Sequence, residues 1–187
     1  MDFEKVVNDR RSVRRFENRM VEEEKINKLI EAARLCQSAK NRQPWKFMVL
    51  QGNEKDKIAE IMLALFERKN IDLPGYVNSS KSSADAIKKA PLLILVFKEK
   101  DKDKDDNWTT GDLLSIGAAI EHICLEAVNL NLGSVWIRDT VYTEQEICDY
   151  AGYSKLQLVS GIAVGYPAEE PAARPRKKAE EIILQKR

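Results

Sequence analysis

The stretch from about Asp112 to Leu130 constrains this chain more than any other. Leu113, Leu114, Ile116, Ala119, Ile120, Ile123, Cys124, Ala127 and Val128 fall at helical spacing yet cover almost the whole circumference. A helix apolar on nearly every side has to be buried on nearly every side. The pattern predicts a long central helix wrapped by other elements. In a chain of only 187 residues such burial implies a subunit interface. Glu121, His122 and Glu126 interrupt the apolar run from Leu113 to Leu132, so the expectation is a buried helix and no membrane span.

The remaining elements read as helices and strands in loose alternation. Asp2–Asp9 predicts a short helix. Val21–Leu35 predicts an amphipathic one, because Ile26, Leu29, Ile30 and Ala33 recur on one face. Trp45–Leu50 reads as a strand ending at Gly52, and Asn53 as the N-cap of a helix carrying Ile58, Ile61, Met62, Leu65 and Phe66. Leu73-Pro74-Gly75-Tyr76 breaks that helix, and a weaker one follows from about Ser82 to Lys89. Pro91–Phe97 is continuously apolar, which suits a strand buried on both faces. Lys98–Asp106 mixes lysines and acids and predicts a solvated loop.

Gly133 predicts a helix stop, Ser134–Ile137 a strand, and Thr143-Glu144-Gln145-Glu146 a capping box. Leu156–Val164 reads as a strand closed by Gly165-Tyr166-Pro167, and Glu181–Leu184 as a candidate edge strand. The order implies an α+β fold with a central sheet. It also implies one domain over residues 1–187 with a C-terminal extension from about 168 to 187.

Composition narrows the function. With 31 Lys and Arg against 30 Asp and Glu, the chain lacks the basic excess that nucleic-acid binding requires. A charged N-terminus argues against a signal peptide. Cys36, Cys124 and Cys148 have no metal spacing and read as reduced thiols of a cytoplasmic protein. The lone histidine, His122, reads as packing or interface, and Cys36 as core filler. No residue presents itself as a catalytic nucleophile or metal ligand. Trp108 and Tyr76 read equally as walls of a substrate cavity and as surface anchors.

Against that neutral background, two cationic clusters lie at opposite ends of the chain. The first is Arg10-Arg11-Ser12-Val13-Arg14-Arg15-Phe16, and the second is Arg174-Pro175-Arg176-Lys177-Lys178. An isolated basic run is compatible with a solvated loop. Arginine forks beside a hydroxyl suit the bidentate, charge-assisted bonds that phosphate oxygens accept. The expectation is that both termini meet around one phosphate-bearing cofactor. A third cluster is Gln37-Ser38-Ala39-Lys40-Asn41-Arg42-Gln43-Pro44-Trp45. Turn chemistry alone accounts for Ser and Asn there. Asn41 and Gln43 also carry the mixed donors and acceptors that the edge of a heteroaromatic ring demands.

In order along the chain, Arg10-Arg11-Ser12-x-Arg14, Ser38-x-x-Asn41-x-Gln43-Pro44-Trp45, Gly161-x-x-x-Gly165-Tyr166-Pro167 and Arg174-x-Arg176 resemble the FMN-dependent nitroreductase family. The resemblance spans nearly the entire sequence. It implies an α+β homodimer with a mixed central sheet, helices on its flanks, the long helix at the interface and two FMN sites built from both subunits. Arg10, Ser12, Arg174 and Arg176 would hold the phosphate, and Arg11 is a further cofactor-binding candidate. Arg14 would lie near the ribityl chain and the N1–C2=O edge of the ring. Ser38, Asn41 and Gln43 would line the polar edge of the ring or the ribityl chain. Ile137, Arg138 and Asp139 occupy the strand-end segment whose backbone approaches the flavin in relatives.

The implied activity is NAD(P)H oxidation by a ping-pong hydride mechanism, with a nitroaromatic, quinone or similar small electrophile as acceptor. A non-catalytic flavin-binding or sensor protein and a dehalogenase-type relative, or one that fragments flavin oxidatively, are the rival readings. The chain departs from the family pattern in one place. Many relatives carry a glycine where this sequence has Trp136-Ile137-Arg138-Asp139. In relatives an Asn or Lys from the helix before the Pro91 strand often reaches the flavin. The corresponding helix here, with Ser82, Ser83 and Ala86 and with Lys81 and Lys88 nearby, leaves that contact unassigned.

Overall fold

A computed structural model of the chain describes residues 2–67, 78–100 and 106–186. The chain order is α1 (Phe3–Asp9), α2 (Glu23–Arg34), β1 (Lys46–Gln51), α3 (Gly52–Glu67), α4 (Asn78–Lys89), β2 (Leu92–Glu99), α5 (Asp106–Asn129), β3 (Gly133–Ile137), α6 (Glu144–Ala151), β4 (Leu156–Gly165) and α7 (Ala179–Ile182). The strands form one sheet in the order β1-β2-β4-β3, with antiparallel pairing throughout. The parallel component is a bridge from Ser12 to Ser134 along the free edge of β3.

Side-chain alternation along β2 organises the core. Leu92, Ile94 and Val96 face one apolar layer with Ile26 and Leu29 of α2 and Ile116, Ile120 and Ile123 of α5. Leu93, Leu95 and Phe97 face the other, with Ile58 and Met62 of α3, Ile87 of α4 and Ile147 of α6. The sheet is thus covered by helices on both faces, and a strand in that position reads as an uninterrupted apolar run. Each fully buried Leu or Ile contributes about 1.5–3 kcal/mol by leaving water, which makes β2 the energetic centre of the fold.

Helix α5 is buried along one stripe by Ile116, Ala119, Ile120, Ile123, Cys124 and Ala127. Its opposite side leaves Leu113 40% and Leu114 72% exposed. Within a single chain the helix is therefore covered on one side, and an apolar stripe remains open.

Several local expectations are corrected. The stop of α5 is Asn131, not Gly133. Asn131 has φ of 57°, Leu132 N–H donates to Ala127 O at 2.7 Å, and Asn131 N–H donates to Val128 O at 3.0 Å. Those two bonds form a Schellman motif, and asparagine tolerates the left-handed conformation it needs. Helix α5 also starts earlier than its apolar pattern, so Thr109 and Thr110 lie inside it. Helix α3 begins at Gly52, which places Asn53 within the helix and not at its cap. Helix α4 begins at Asn78, ahead of the predicted Ser82.

Lys98 and Glu99 belong to β2, not to a solvated loop, and Lys98 is buried opposite Gln157. Thr143 stands at the N-cap of α6 but makes no side-chain capping bond, because its backbone (φ −123°, ψ 30°) is not in the extended conformation that aims a cap oxygen at the first-turn N–H groups; its hydroxyl donates to Thr140 O. The predicted edge strand at Glu181–Leu184 is replaced by the short exposed helix α7. The predicted break at Leu73–Tyr76 lies outside the described residues, as does the Asp101–Asp105 part of the charge run.

Candidate cofactor site

The arginine run is held in place by main-chain bonds to two distant segments. Helix α1 ends at Asp9, and Arg10 N–H closes its last turn on Val6 O. The chain then lies along β3, with Val13 N–H donating to Ser134 O at 2.9 Å. Further on it pairs with the segment after β4. Phe16 bridges Pro167, Glu17 N–H donates to Tyr166 O at 2.9 Å, and Ala168 N–H donates to Arg15 O at 3.0 Å.

The Gly165-Tyr166-Pro167 element explains that joint. A Cβ at Gly165 would stand 2.4 Å from Pro91 Cδ and 3.0 Å from Phe16, so only glycine permits the crossing. Tyr166 is buried, and its hydroxyl donates to the Glu22 carboxylate at 2.7 Å. The Arg19 guanidinium stacks 3.8 Å above its ring, and Lys25 Nζ donates to the hydroxyl at 2.8 Å. The Tyr166 bond, with Arg19 and Lys25 nearby, holds the Glu22 carboxyl down at about 2.

Head and tail converge as the sequence predicts. A cavity of about 640 Å³ is lined by Arg10, Arg11, Ser12 and Arg14 from the head and Arg174 and Arg176 from the tail. Arg10 Nε lies 3.4 Å from a Glu121 carboxylate oxygen of α5. The Arg11 guanidinium donates to Asn8 O at 2.6 Å, and that of Arg14 to Ser12 O at 3.2 Å. The backbone N–H groups of Arg14 and Arg15 both donate to Glu169 Oε1, at 2.7 and 3.1 Å.

The Ser38–Gln43 loop is built against a different part of α5. Ala39 N–H donates to Ser115 Oγ at 3.2 Å, and Arg42 grips the buried Asp112 carboxylate through two bonds of 2.9 and 3.1 Å. Ser38 Oγ accepts from Gln43 N–H at 3.0 Å, and Gln43 Nε2 donates to Asn41 Oδ1 at 3.2 Å. Lys40, Asn41 and Gln43 all have positive φ, near 50°. Left-handed backbone costs roughly 1–2 kcal/mol at a non-glycine residue, so the surrounding bonds must enforce this shape.

Helix α5 serves as a ruler between the two groups. Asp112 holds the loop and Glu121 meets Arg10. Their spacing in sequence corresponds to roughly 13 Å along the axis and about half a turn around it. One copy of the chain gathers the head and tail arginines but does not bring Ser38, Asn41 and Gln43 to them.

The strand-end segment divides in role. The Ile137 side chain is core, so only its backbone is available to a ligand. Arg138 is exposed. Asp139 accepts hydrogen bonds from Ser79 Oγ at 2.9 Å and Ser83 Oγ at 2.6 Å on α4. Beside them Trp136 lies half-exposed over Gly117 of α5, its indole N–H donating to Ser160 Oγ at 2.7 Å.

His122 is exposed on α5, with its Nδ1 3.1 Å from Ala32 O of α2. Burial raises the thiol pKa of Cys36 and pushes Cys124 up to about 11, so neither is a thiolate at neutral pH. Sequence reasoning missed Glu121, Asp112 and Glu169. Their partners lie 70 or more positions away in the case of Asp112 and 154–155 in the case of Glu169, so no local pattern marks them. The side chains of Trp108 and Tyr76 lie outside what the structure describes.

The sequence model of the Nitroreductase family matches residues 7–166. The chain belongs to the nitroreductase family.

A relative from Archaeoglobus fulgidus, provisionally named NADH dehydrogenase/NAD(P)H nitroreductase, is 30% identical over 89% of this chain and 86% of its own length. Among solved structures, a provisionally named NADH oxidase from Clostridium acetobutylicum is 32% identical and superposes with a TM-score of 0.72, covering 97% of this chain and 99% of its own. A provisionally named nitroreductase from Desulfovibrio desulfuricans, crystallised with FMN, shares the nitroreductase fold at a TM-score of 0.77 and 23% identity, covering 100% of this chain and 98% of its own. Among the described residues no helix is long and apolar enough to cross a membrane.

Proposed function

We propose that this nitroreductase-family oxidoreductase binds FMN and uses NAD(P)H to reduce a small electrophile, a nitroaromatic or quinone, in a ping-pong cycle. The observation that carries the proposal is the shared cavity of the head and tail arginines. A phosphate monoester is close to doubly anionic at neutral pH, and guanidinium forks with a hydroxyl form the donor set it requires. The donor chemistry of the cavity therefore fits FMN. Arg10, Ser12, Arg174 and Arg176 are assigned to its phosphate, with Arg11 beside them, and Arg14 to the ribityl chain and the N1–C2=O edge. When bound, FMN supplies the two-electron chemistry that links nicotinamide to the acceptor, and the protein's work is to bind, orient and tune it.

The separation of the Ser38–Gln43 loop from the arginine cavity supports a homodimer. A second copy packed on the open stripe of α5 would bring its own loop to the first copy's arginines. The relative named 4-nitrobenzoate reductase from Pseudomonas putida, 38% identical over 33% of this chain, favours a nitroaromatic acceptor. Iodotyrosine deiodinase 1 from Sus scrofa, 28% identical over 98% of this chain, places an iodotyrosine in the acceptor panel.

The test is stopped-flow reduction of the FMN-loaded protein by NADH and by NADPH, followed by reoxidation with nitroaromatics, quinones and iodotyrosine. Rapid bleaching and reoxidation by a quinone are expected. Bound flavin that neither donor reduces would favour the sensor reading, and a colourless protein that refuses added FMN would remove every flavin reading.

A further inference from the structure

We infer that Glu169 is a positioning residue for the phosphate cavity, clamping the head segment to the tail so that the phosphate-assigned Arg10, Ser12, Arg174 and Arg176 stay on one cavity, without touching the ligand itself. The inference rests on the FMN reading above. One oxygen of this carboxylate receives two consecutive backbone N–H groups, from Arg14 at 2.7 Å and Arg15 at 3.1 Å. The same carboxylate lies 3.8 Å from the Arg15 guanidinium, with 28% of its own side chain exposed.

Its place in the chain makes the contact consequential. The head and tail run together through Glu17–Tyr166, Phe16–Pro167 and Arg15–Ala168, and Glu169 is the next link in that series. Immediately beyond it the tail enters the wall of the cavity at Pro171, and Arg174 and Arg176 line that cavity together with Arg10 and Ser12. Glu169 thus joins the two cationic segments at the point where they diverge around the cavity. Without it, two N–H donors lose their partner and each segment gains freedom, so the guanidinium groups must be ordered by the ligand at its own expense.

A negative charge near a phosphate site would by itself weaken anion binding. Charge and geometry therefore predict opposite outcomes, and two substitutions separate them. Glu169→Gln removes the charge and keeps an acceptor oxygen at the same reach. Glu169→Asp keeps the charge and withdraws the acceptor by one methylene. If Glu169 works by position, Glu169→Gln binds FMN as tightly as the wild type or more tightly. Glu169→Asp then binds FMN about ten-fold more weakly, the scale of one lost charge-assisted bond.

The experiment titrates each protein with FMN and with riboflavin, which lacks the phosphate, by flavin fluorescence. It also records hydrogen exchange at the amides of Arg14 and Arg15 in the ligand-free proteins. The expected result is a fall in the FMN-to-riboflavin affinity ratio in Glu169→Asp only, with faster exchange at both amides. Equal weakening toward FMN and riboflavin would reduce Glu169 to a fold-stabilising residue and overturn the inference. So would a rank order following charge, with Glu169→Gln tighter and Glu169→Asp unchanged. A wild-type protein that binds no FMN overturns the functional reading and this inference together. A wild type that binds FMN beside an unaffected Glu169→Asp overturns the inference alone.

Discussion

Val13 lies directly over Gly133, so closely that a Cβ at position 133 would stand 2.8 Å from a Val13 methyl carbon. The contact lies beside the Ser12–Ser134 bridge, where the arginine run joins the edge of β3. Gly133→Ala should therefore push the run away from the strand. The expected loss is about 1–3 kcal/mol of stability, the usual cost of overpacking, together with weaker FMN binding. Val13→Ala should restore part of both losses in the double variant. Urea denaturation and FMN titration of the four proteins of the cycle check it, and additive effects would show that the two sites are uncoupled.

Removing a guanidinium from each end of the chain tests the convergence itself. Arg10→Ala and Arg176→Ala should each weaken FMN binding by about 1.5–3 kcal/mol, the range for a hydrogen bond to a charged group. Riboflavin affinity should change far less. Unaltered FMN affinity in both variants would refute the phosphate assignment.

These two tests draw on parts of the molecule that differ in how legible they are from sequence. The convergence of Arg10 and Arg176 was readable because charge clusters are local, and a neutral chain makes them conspicuous. Strand β2 was readable because burial on both faces removes every polar residue from Leu92 to Phe97. The end of α5 was misread because glycine at 133 suggested a stop, whereas its small size serves the contact with Val13, and Asn131 supplies the left-handed turn. The capping box places Thr143 correctly at the N-cap, but the motif specifies only which groups are available, and the backbone at Thr143 (φ −123°, ψ 30°) does not aim the hydroxyl oxygen at the helix N–H groups. Glu169 and Asp112 were invisible, since a carboxylate announces nothing until its distant partner is placed.

The Arg42–Asp112 pair should hold the shape of the Ser38–Gln43 loop. Asp112 is buried while 43% of the Arg42 side chain is exposed, so solvent screens part of the interaction. Asp112→Ala is expected to cost about 1–2 kcal/mol, below the range for a fully buried pair. Asp112→Asn, which keeps one acceptor, should cost less. The midpoint of urea unfolding at constant slope provides the measurement.

Acid should loosen the joint at Tyr166. The folded carboxyl of Glu22 is held at about 2 against an ordinary 4.5, first by the Tyr166 hydroxyl. A depressed folded pKa contributes stability that is fully present above the unfolded value and lost as pH falls through the folded one. The window therefore runs from about 4.5 down to about 2. Tyr166→Phe should flatten the pH dependence of the melting temperature within that window relative to the wild type. Parallel curves for the two proteins would remove Glu22 from the account of acid sensitivity.

The open stripe of α5 makes the last test. Leu114 is 72% exposed on a helix whose other stripe is core, so a charge there disturbs nothing inside the chain. Leu114→Glu should leave the melting of an isolated copy nearly unchanged and block a second copy from docking, because an unpaired carboxylate would be buried in the contact. If Ser38, Asn41 and Gln43 reach the arginine cavity only across a dimer, the variant should sediment as a monomer and lose FMN affinity in the same concentration range. A monomer that retains wild-type affinity would show that one copy suffices for the cofactor, and a dimer that persists would place the contact elsewhere on the surface.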